Sequence, residues 1–343
     1  MAIDGANHLF GNFVEKQALR SVPQRFRMNG EDDAAGIEAA AAAIAAGALV
    51  AMPTETVYGL AADATNPEAV ARIFAAKGRP RFNPLIVHVP SMEAAGRIAI
   101  LPPAARRLAA AFWPGPLTMV LKSAPDSGIA EIVTAGLDTV AVRVPAHPVA
   151  QALLARTGRP LAAPSANRSG HISATDADHV VADLGDAVAV ILDAGPTPLG
   201  IESTIVAVSE AGVELLRPGG VSRGDIERAI GAPLRNAHAD AAAPRAPGML
   251  ERHYAPAAAL RLNARDVRPG EALLAFGLPL PPGADRAKAV VNISEKGDLV
   301  EAAARFFSAL RTLDRAADRI AAMPIPEEGL GEAINDRLRR GAR

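Results

Sequence analysis

The chain has 343 residues, which exceeds a typical single domain of about 100–200 residues, so two domains are expected. Half of the residues are hydrophobic but only 3% are aromatic, which predicts a core of aliphatic side chains. The formal net charge of -1 gives no bulk signature of a nucleic-acid or membrane surface. The absence of cysteine excludes disulfides, thiolate metal sites and cysteine nucleophiles, and it is compatible with the cytoplasmic location that we expect.

The N-terminal region has neither a membrane span nor a signal peptide. Its longest uncharged stretch, 39–54, contains Pro53 and is shorter than the ~20 apolar residues that a membrane helix needs. Residues 1–30 mix charges with isolated apolar residues and lack the apolar block of a signal peptide. We therefore predict no membrane association and treat residues 1–30 as an N-terminal extension.

Helices and strands alternate over most of the chain. An Ala-rich helix over 33–46 leads into a strand over 48–52, and Asn66, Pro67 and Gly78 are the start and stop signals of a helix that ends at Lys77. The remaining pattern predicts strands over 84–89, 117–121, 139–144, 188–192, 204–208 and 213–216, and helices over 104–112, 149–157, 177–184 and 225–230. Several strands follow one another directly, which favours a mixed sheet over a purely parallel one.

Residues 235–259 interrupt this pattern with Ala, Pro and His, and we interpret them as an interdomain linker. Beyond the linker, the pattern predicts strands over 271–276, 287–293 and 319–323 and helices over 298–315 and 330–340. This second part is predicted to be a small α/β unit.

Two predicted strands place polar side chains among apolar neighbours. One face of the strand over 139–144 carries only valines, whereas the other carries Thr139, an alanine and Arg143, a pattern typical of a cavity wall. In the strand over 85–89, His88 shares a face with an isoleucine. For His88 alone a hydrogen-bonded core histidine is the better interpretation, and for Arg143 a buried ion pair and a ligand contact are equally supported.

Basic and small polar residues lie at the predicted strand ends. The loop 77–81 carries Lys77, Arg79 and Arg81, and it suits a polyphosphate, but on its own it is weak evidence because exposed basic loops are usually only solvated. Turns at 164–167, 202–204 and 217–220 supply hydroxyl, amide and guanidinium groups. Taken together they indicate a ligand site at the strand ends of an α/β sheet. Neither GxxxxGK[ST] nor GxGxxG occurs, so any catalysis with ATP must rest on positioning and charge stabilisation.

Ordered motifs carry a family resemblance: PTETVYGL at 53–60, KGRPRFNPLIVHV at 77–89, PGPLT at 114–118, VAVRVP at 140–145, PSAN at 164–167, ESTIV at 202–206, RPG at 217–219 and APGMLERHYAP at 246–256. With these motifs the chain resembles the threonylcarbamoyl-AMP synthases of the YrdC-like superfamily, in their two-domain branch. The resemblance implies an α/β fold: a twisted mixed sheet around a concave basic cavity over 31–234, a linker that acts as a lid over 235–259, and a small Rossmann-like α/β domain over 260–343.

The resemblance also implies a set of site residues. Threonine would contact Thr56, His88, Arg143 and Ser203. ATP would contact Arg79, Asn83, Thr139, Ser165, Ser173, Arg217 and Tyr254. The catalytic pair would be Lys77 and Arg79, whose neutralisation we expect to affect catalysis far more than stability, and no protein-bound metal is implied.

The implied reaction starts when the threonine amine takes up CO2 from bicarbonate. The carbamate then attacks the α-phosphorus of ATP, with Mg²⁺ on the phosphates, and pyrophosphate leaves. The product would pass to a tRNA threonylcarbamoyl transferase for N6-threonylcarbamoyladenosine (t6A) formation. The sequence departs from the family pattern at 249–251 and in the length of the N-terminal extension.

Two alternatives are weighed. A carbamoyltransferase-type domain of hydrogenase maturation carries cysteine-based zinc motifs, which a chain without cysteine cannot form. A double-stranded-RNA-binding module without catalysis could use the same basic cavity, although the net charge of -1 argues against it. Direct RNA binding is therefore left open.

Overall fold

The computed structural model describes residues 22–30, 33–237, 246 and 253–343. Its strands are β1 Gln24–Arg27, β2 Val50–Met52, β3 Gly59–Asp63, β4 Ile86–His88, β5 Leu117–Lys122, β6 Thr139–Arg143, β7 Leu161–Ala162, β8 Val190–Asp193, β9 Thr204–Ser209, β10 Gly212–Arg217, β11 Arg235–Asn236, β12 Ala259–Arg261, β13 Ala272–Ala275, β14 Val290–Asn292 and β15 Arg319–Ala322. Its α-helices are α1 Asp33–Ala45, α2 Pro67–Lys77, α3 Met92–Ile98, α4 Pro103–Phe112, α5 Glu131–Thr134, α6 Pro148–Thr157, α7 Ala177–Leu184, α8 Arg223–Ile230, α9 Leu299–Ala316 and α10 Leu330–Gly341.

Strands β1 to β11 form one mixed sheet in the order β1-β8-β2-β3-β7-β4-β6-β5-β9-β10-β11. At its centre, β4 runs parallel to β6, β6 runs antiparallel to β5, and β5 runs parallel to β9. The predicted mixed sheet is therefore confirmed. Because β4 and β6 pair in register, His88 lies directly beside Arg143 across the two strands.

The sheet begins before residue 31. Strand β1 pairs in parallel with β8, and Arg25 forms ion pairs with Asp178 and Asp193. These contacts tie residues 24–27 to the sheet, whereas the sequence analysis placed them in an extension. The predicted boundary at residue 30 is thus too late, while residues 1–21 lie outside the described part of the chain.

Helix α2 ends where the sequence predicts. The side chain of Asn66 accepts hydrogen bonds from the backbone N–H groups of Glu68 and Ala69, and Gly78 closes the helix with a left-handed φ of 61°. The last helical residue is Lys77, which is buried. The helix end therefore delivers an ammonium group to the interior of the domain.

A second sheet forms the predicted C-terminal α/β domain. Its order is β12-β15-β13-β14, and all of its pairings are parallel. Helix α9 packs against β13, β14 and β15, and α10 packs against α9. Among the described residues, no helix is both long and apolar enough to cross a membrane.

The two domains share one hydrophobic cluster. Val57, Ile172 and Ile201 come from the large-sheet domain, and they pack in the same buried cluster as Phe306 and Phe307 of α9. The core of the C-terminal domain therefore extends into the loops of its neighbour.

The two domains approach each other closely at Gly200. Gly200 has a left-handed φ of 68°, and a Cβ atom at this position would lie 2.5 Å from the backbone oxygen of Ala303. A glycine is needed there both for its conformation and for the space that it leaves.

Candidate active site

A cavity of about 520 Å³, including space open to solvent, lies at the ends of the central strands. Its wall comes from β4 and β6, from the turns after β2 and β7, and from the loop before β9. Most of the residues that the resemblance implies line it: Thr56, Arg79, His88, Arg143, Ser165, Ser203, Arg217 and Tyr254. Sequence motifs far apart in the chain thus meet in one cavity.

Four predicted residues do not line this cavity directly. Asn83 is buried without a hydrogen bond to its side-chain amide among the described residues, and Thr139 begins β6 as a half-buried residue. Ser173 is buried and donates a 2.5 Å hydrogen bond to Oε1 of Glu202, which does line the cavity. Lys77, the fourth, bonds to the backbone behind the wall.

The turn after β2 is fixed by its own hydroxyl group. The Oγ1 of Thr54 accepts hydrogen bonds from the backbone N–H groups of Thr56 and Val57, and it donates one of 2.6 Å to the carbonyl of Val57. A Thr side chain that bonds to its own turn in this way holds the backbone in place. The hydroxyl of Thr56 consequently faces the guanidinium of Arg143 at 2.9 Å.

Arg143 is both a cavity residue and a member of a buried ion pair. Its Nη2 lies 2.6 Å from Oε1 of Glu55, while Nη1 donates to Thr56 and Nε donates to the carbonyl of Gly115 at 3.3 Å. The buried ion pair that the sequence allowed for Arg143 is therefore present, and a ligand contact by the same residue stays a prediction. Glu55 was not predicted, although it belongs to the motif PTETVYGL.

His88 presents a neutral imidazole beside Arg143. Burial, reinforced by the positive charge of Arg143, lowers the pKa of His88 from 6.5 to about 3. Its Nδ1 is buried and has no hydrogen-bond partner within the described residues. His88 is thus a buried histidine with one ring nitrogen left without a protein partner among these residues, and a ligand contact at that nitrogen stays a prediction.

Two buried basic side chains, Arg79 in the cavity wall and Lys77 behind it, have no carboxylate partner among the described residues. Lys77 donates to the carbonyls of Ser165, at 2.6 Å, and Asn167. Arg79 donates to the carbonyls of Asn83, at 3.2 Å, and Pro84, at 2.9 Å. No ion pair of either cation occurs in the described part of the chain, and burial lowers the pKa of both. Neither side chain therefore has an ion-pair partner among these residues, although the more distant charge of Asp183 favours the charged form of Lys77.

The loop 77–81 is therefore not the solvated basic loop that was the alternative. Its two buried cations are only 4% and 7% exposed, and only its third cation, Arg81, faces solvent. Buried basic groups without an ion-pair partner in the described part of the chain favour an anionic ligand in the cavity over a merely solvated surface.

Arg217 holds the opposite side of the cavity. Its Nη2 donates to the carbonyl of Ser203 at 2.8 Å and to the Ser203 hydroxyl at 3.3 Å, and its Nη1 donates to the hydroxyl of Tyr254 at 3.4 Å. The Ser203 hydroxyl also lies 2.8 Å from Oγ1 of Thr118. Arg217 thus joins the loop before β9 to the end of the linker.

The end of the linker folds back onto the cavity. Tyr254 is buried with a left-handed φ of 61°, and both His253 and Tyr254 line the cavity wall. The backbone N–H of Ala255 donates to the carbonyl of Gly170 at 2.9 Å, which anchors this segment. The unusual residues 249–251 of the linker motif lie outside the described residues.

Two family models together match nearly the whole folded chain. The model described as "Telomere recombination" matches residues 42–219, and that described as "Threonylcarbamoyl-AMP synthase, C-terminal domain" matches 221–343. A threonylcarbamoyl-AMP synthase of Pyrococcus abyssi is 43% identical over 330 residues, covering 89% of this chain and 94% of the relative. The chain belongs to the threonylcarbamoyl-AMP synthase family. A Bacillus subtilis member is 40% identical, covering 89% of this chain and 92% of its own length.

A solved structure confirms the fold expected of this family. The crystal structure of P. abyssi Sua5 complexed with L-threonine superposes with a TM-score of 0.85 at 39% identity, and it covers 94% of this chain and 98% of the other. The two-domain α/β architecture predicted from the resemblance is therefore confirmed.

Two carboxylates described in or beside the cavity are both engaged by side chains of the protein. Glu55 pairs with Arg143, and the two oxygens of Glu202 are occupied by Ser173 and Arg337. Among the described residues, no group of three or more Asp, Glu or His side chains could hold a metal ion.

Proposed function

We infer that the protein is an L-threonylcarbamoyladenylate synthase, which converts L-threonine, bicarbonate or CO2 and ATP to threonylcarbamoyl-AMP and pyrophosphate. Transfer of the AMP group makes this a nucleotidyltransferase reaction. Family membership over nearly the whole chain supports the proposal, as does a cavity that brings the family motifs together. The product serves the t6A modification of tRNA.

The observation that carries this function is the burial of Lys77 and Arg79 without a carboxylate partner among the described residues. Buried cations without carboxylate partners are costly unless an anion binds beside them. The triphosphate of ATP supplies such an anion, and charge that builds up as pyrophosphate leaves would be stabilised by these same groups. We therefore assign Lys77 and Arg79 to the phosphates.

The remaining predicted ATP contacts surround the same cavity. Arg217, Ser165 and Tyr254 line it, and Ser173 lies behind Glu202. We propose that they hold the nucleotide, and we keep Asn83 and Thr139 as ATP contacts on the resemblance alone, since neither lines the cavity.

We assign the other wall of the cavity to threonine. Arg143 offers its guanidinium to the α-carboxylate, although it must share that group with Glu55. Thr56, Ser203 and the neutral imidazole of His88 offer polar atoms to the amine and hydroxyl groups. Because His88 is neutral, it adds no positive charge that would repel the amino group of threonine.

The chemistry follows from this arrangement. The threonine amine adds to CO2 and loses a proton, forming a carbamate. A carbamate oxygen forms a bond to the α-phosphorus of ATP while the bond to pyrophosphate breaks. Tyr254 and His253 cover the cavity, which excludes water from a mixed anhydride that water would hydrolyse. The Mg²⁺ ion, when present, neutralises phosphate charge.

Pyrophosphate release tests the proposal. With wild-type protein, release requires ATP, L-threonine and bicarbonate together, and mass spectrometry detects the adenylate. Release that is independent of threonine would contradict the proposal. Transfer of the adenylate to a tRNA threonylcarbamoyl transferase, like the cytoplasmic location, stays a prediction.

The RNA-binding alternative is less well supported. Lys77, Arg79 and Arg217 are 4%, 7% and 4% exposed, so a duplex backbone could not reach them from outside. Salt-sensitive RNA binding without nucleotide turnover would favour this alternative.

A further inference from the structure

The last helix of the C-terminal domain reaches the wall of the active site. The side chain of Arg337, in α10, is 0% exposed, and its Nε donates to Oε2 of Glu202 at 2.9 Å. Glu202 lies 135 residues earlier in the chain and lines the cavity. A second carboxylate, Asp336, accepts from Nη1 of Arg337 at 2.7 Å.

Arg337 also contacts the end of the linker. Its guanidinium carbon lies 4.8 Å from the centre of the Tyr254 ring, in a cation–π arrangement. The Tyr254 ring also lies 5.9 Å from the ring of Phe307. The Tyr254 hydroxyl accepts from Arg217 at 3.4 Å, so two arginines hold one tyrosine from two directions.

Glu202 extends this contact to a second predicted nucleotide residue. One of its oxygens binds Arg337, while the other accepts from the hydroxyl of Ser173 at 2.5 Å. Arg337 is therefore one contact away from Tyr254 and two contacts away from Ser173. Both of these residues are assigned to ATP under the proposed function.

Stability alone does not account for an arginine at this position. A buried ion pair is often replaced by apolar residues without loss of stability, and the surrounding cluster is already apolar. In addition, Nη2 of Arg337 is buried without a hydrogen-bond partner among the described residues. The residues that Arg337 holds explain its presence better: Tyr254 has a φ of 61°, which is costly for a tyrosine and needs support.

We propose that Arg337 is a positioning residue of the ATP site, supplied by the C-terminal domain, which holds Tyr254 over the cavity and Glu202 against Ser173. The proposal rests on the assigned ATP site and gives the C-terminal domain a part in nucleotide binding. Its distinguishing consequence is selective: loss of Arg337 weakens ATP binding, whereas the threonine wall at Thr56, His88 and Arg143 keeps its contacts.

The test compares Arg337→Met with Arg339→Met. Arg339 lies on the same helix but is 52% exposed and pairs with exposed Glu327, so it controls for removal of a cation from α10. For R337M we expect the KM and the Kd of ATP to rise about tenfold or more, the scale of a desolvated cation–π contact. The KM of threonine should stay within about threefold. For R339M both values should match those of wild type.

A double variant separates positioning from charge balance. Arg337→Met alone leaves Glu202 buried and unpaired, whereas Arg337→Met with Glu202→Gln removes that charge and keeps an acceptor for Ser173. The double variant should regain thermal stability but keep the weakened ATP binding. Recovery of wild-type ATP binding in the double variant would overturn the proposal, because Arg337 would then serve only to neutralise Glu202.

ATP binding is measured directly by calorimetry, so the result does not depend on turnover. A wild-type protein that binds ATP but forms no adenylate would contradict the proposed function and leave the role of Arg337 measurable. Should R337M not fold, Arg337→Lys keeps the charge but loses the planar group over Tyr254. A wild-type Kd for ATP in folded R337M or in R337K overturns the proposal.

Discussion

The ammonium group of Lys77 donates a 2.6 Å hydrogen bond to the backbone carbonyl of Ser165, which joins the end of α2 to the turn after β7. The neighbouring carbonyl of Asn167 accepts a second bond from the same group. Removal of this side chain would therefore leave buried carbonyls without a donor. Neutralising Lys77 should therefore cost stability as well as catalysis, and the expectation that the loss of catalysis is the larger of the two stays a prediction.

Burial lowers the pKa of Lys77 well below 10.5, and bound phosphate would raise it again by stabilising the charged form. ATP binding then takes up a proton, so the affinity for ATP should fall as the pH rises through the lowered pKa of Lys77. Calorimetry between about pH 6 and pH 9, in two buffers of different ionisation enthalpy, measures this uptake.

Lys77→Met removes the titrating group and should flatten that pH dependence while weakening ATP binding. Arg81→Met, in the exposed part of the same loop, is the control and should keep the wild-type dependence. An unchanged slope in Lys77→Met would assign the proton to another group.

Arg143 reaches three acceptors from three different nitrogen atoms of a planar group, a geometry that the single nitrogen of a lysine cannot reproduce. We expect Arg143→Lys to raise the KM of threonine by about 10-fold to 100-fold, equivalent to ~1.4–2.8 kcal/mol, with a much smaller change for ATP. Steady-state kinetics with each substrate varied in turn gives both values. Arg156→Lys, in the exposed pair with Glu38, should change neither. An equal rise for both substrates would show general distortion instead.

Buried histidines make the fold sensitive to acid. Burial lowers the pKa of His88 to about 3 and that of His253 well below 6.5. Below pH 6.5 these histidines bind protons in the unfolded chain but stay neutral in the folded one. The free energy of unfolding should therefore decrease as the pH falls. Urea unfolding between about pH 6.5 and pH 5 measures the slope.

His88→Gln should reduce that slope by up to about 1.4 kcal/mol per pH unit, the full contribution of one proton. His171→Gln removes an exposed histidine and serves as the control. A His88→Gln slope equal to that of wild type would mean that His88 is protonated in the folded protein.

Gly200 and Gly195 form a matched pair for testing the domain interface. Both have left-handed φ values, of 68° and 75°, but a Cβ would meet backbone oxygen at Gly200 and nothing within 4 Å at Gly195. Gly195→Ala should cost about 1–2 kcal/mol from conformation alone. Gly200→Ala should cost about 1–3 kcal/mol more, because α9 must move. Equal losses in chemical denaturation would show that the domains do not approach so closely.

Local patterns predicted the parts of the site that depend on short-range geometry. The period of two in a strand placed His88 and Arg143 on cavity faces, and the caps at Asn66 and Gly78 placed Lys77 at a helix end. The motifs then named most of the residues that line the cavity. Each of these inferences uses residues within a few positions of one another or a known family pattern.

The sequence analysis did not predict contacts between residues far apart in the chain. Strand β1 is short and polar, and only its pairing with β8, more than 160 residues away, makes it part of the sheet. Glu202 was visible as part of a motif, but its bond to Arg337 depends on how two domains meet. Alternation and capping carry no information about such a meeting.

Val57, Ile172 and Ile201 pack in one buried cluster with Phe306 and Phe307, so the two domains are joined by a hydrophobic interface as well as by the linker. Separating the domains by cutting the linker would expose hydrophobic side chains on both fragments. One of these, Val57, is adjacent to Thr56 of the candidate active site. Loss of activity in an isolated N-terminal fragment would therefore reflect the exposed interface, and it would not show that the C-terminal domain takes part in the chemistry.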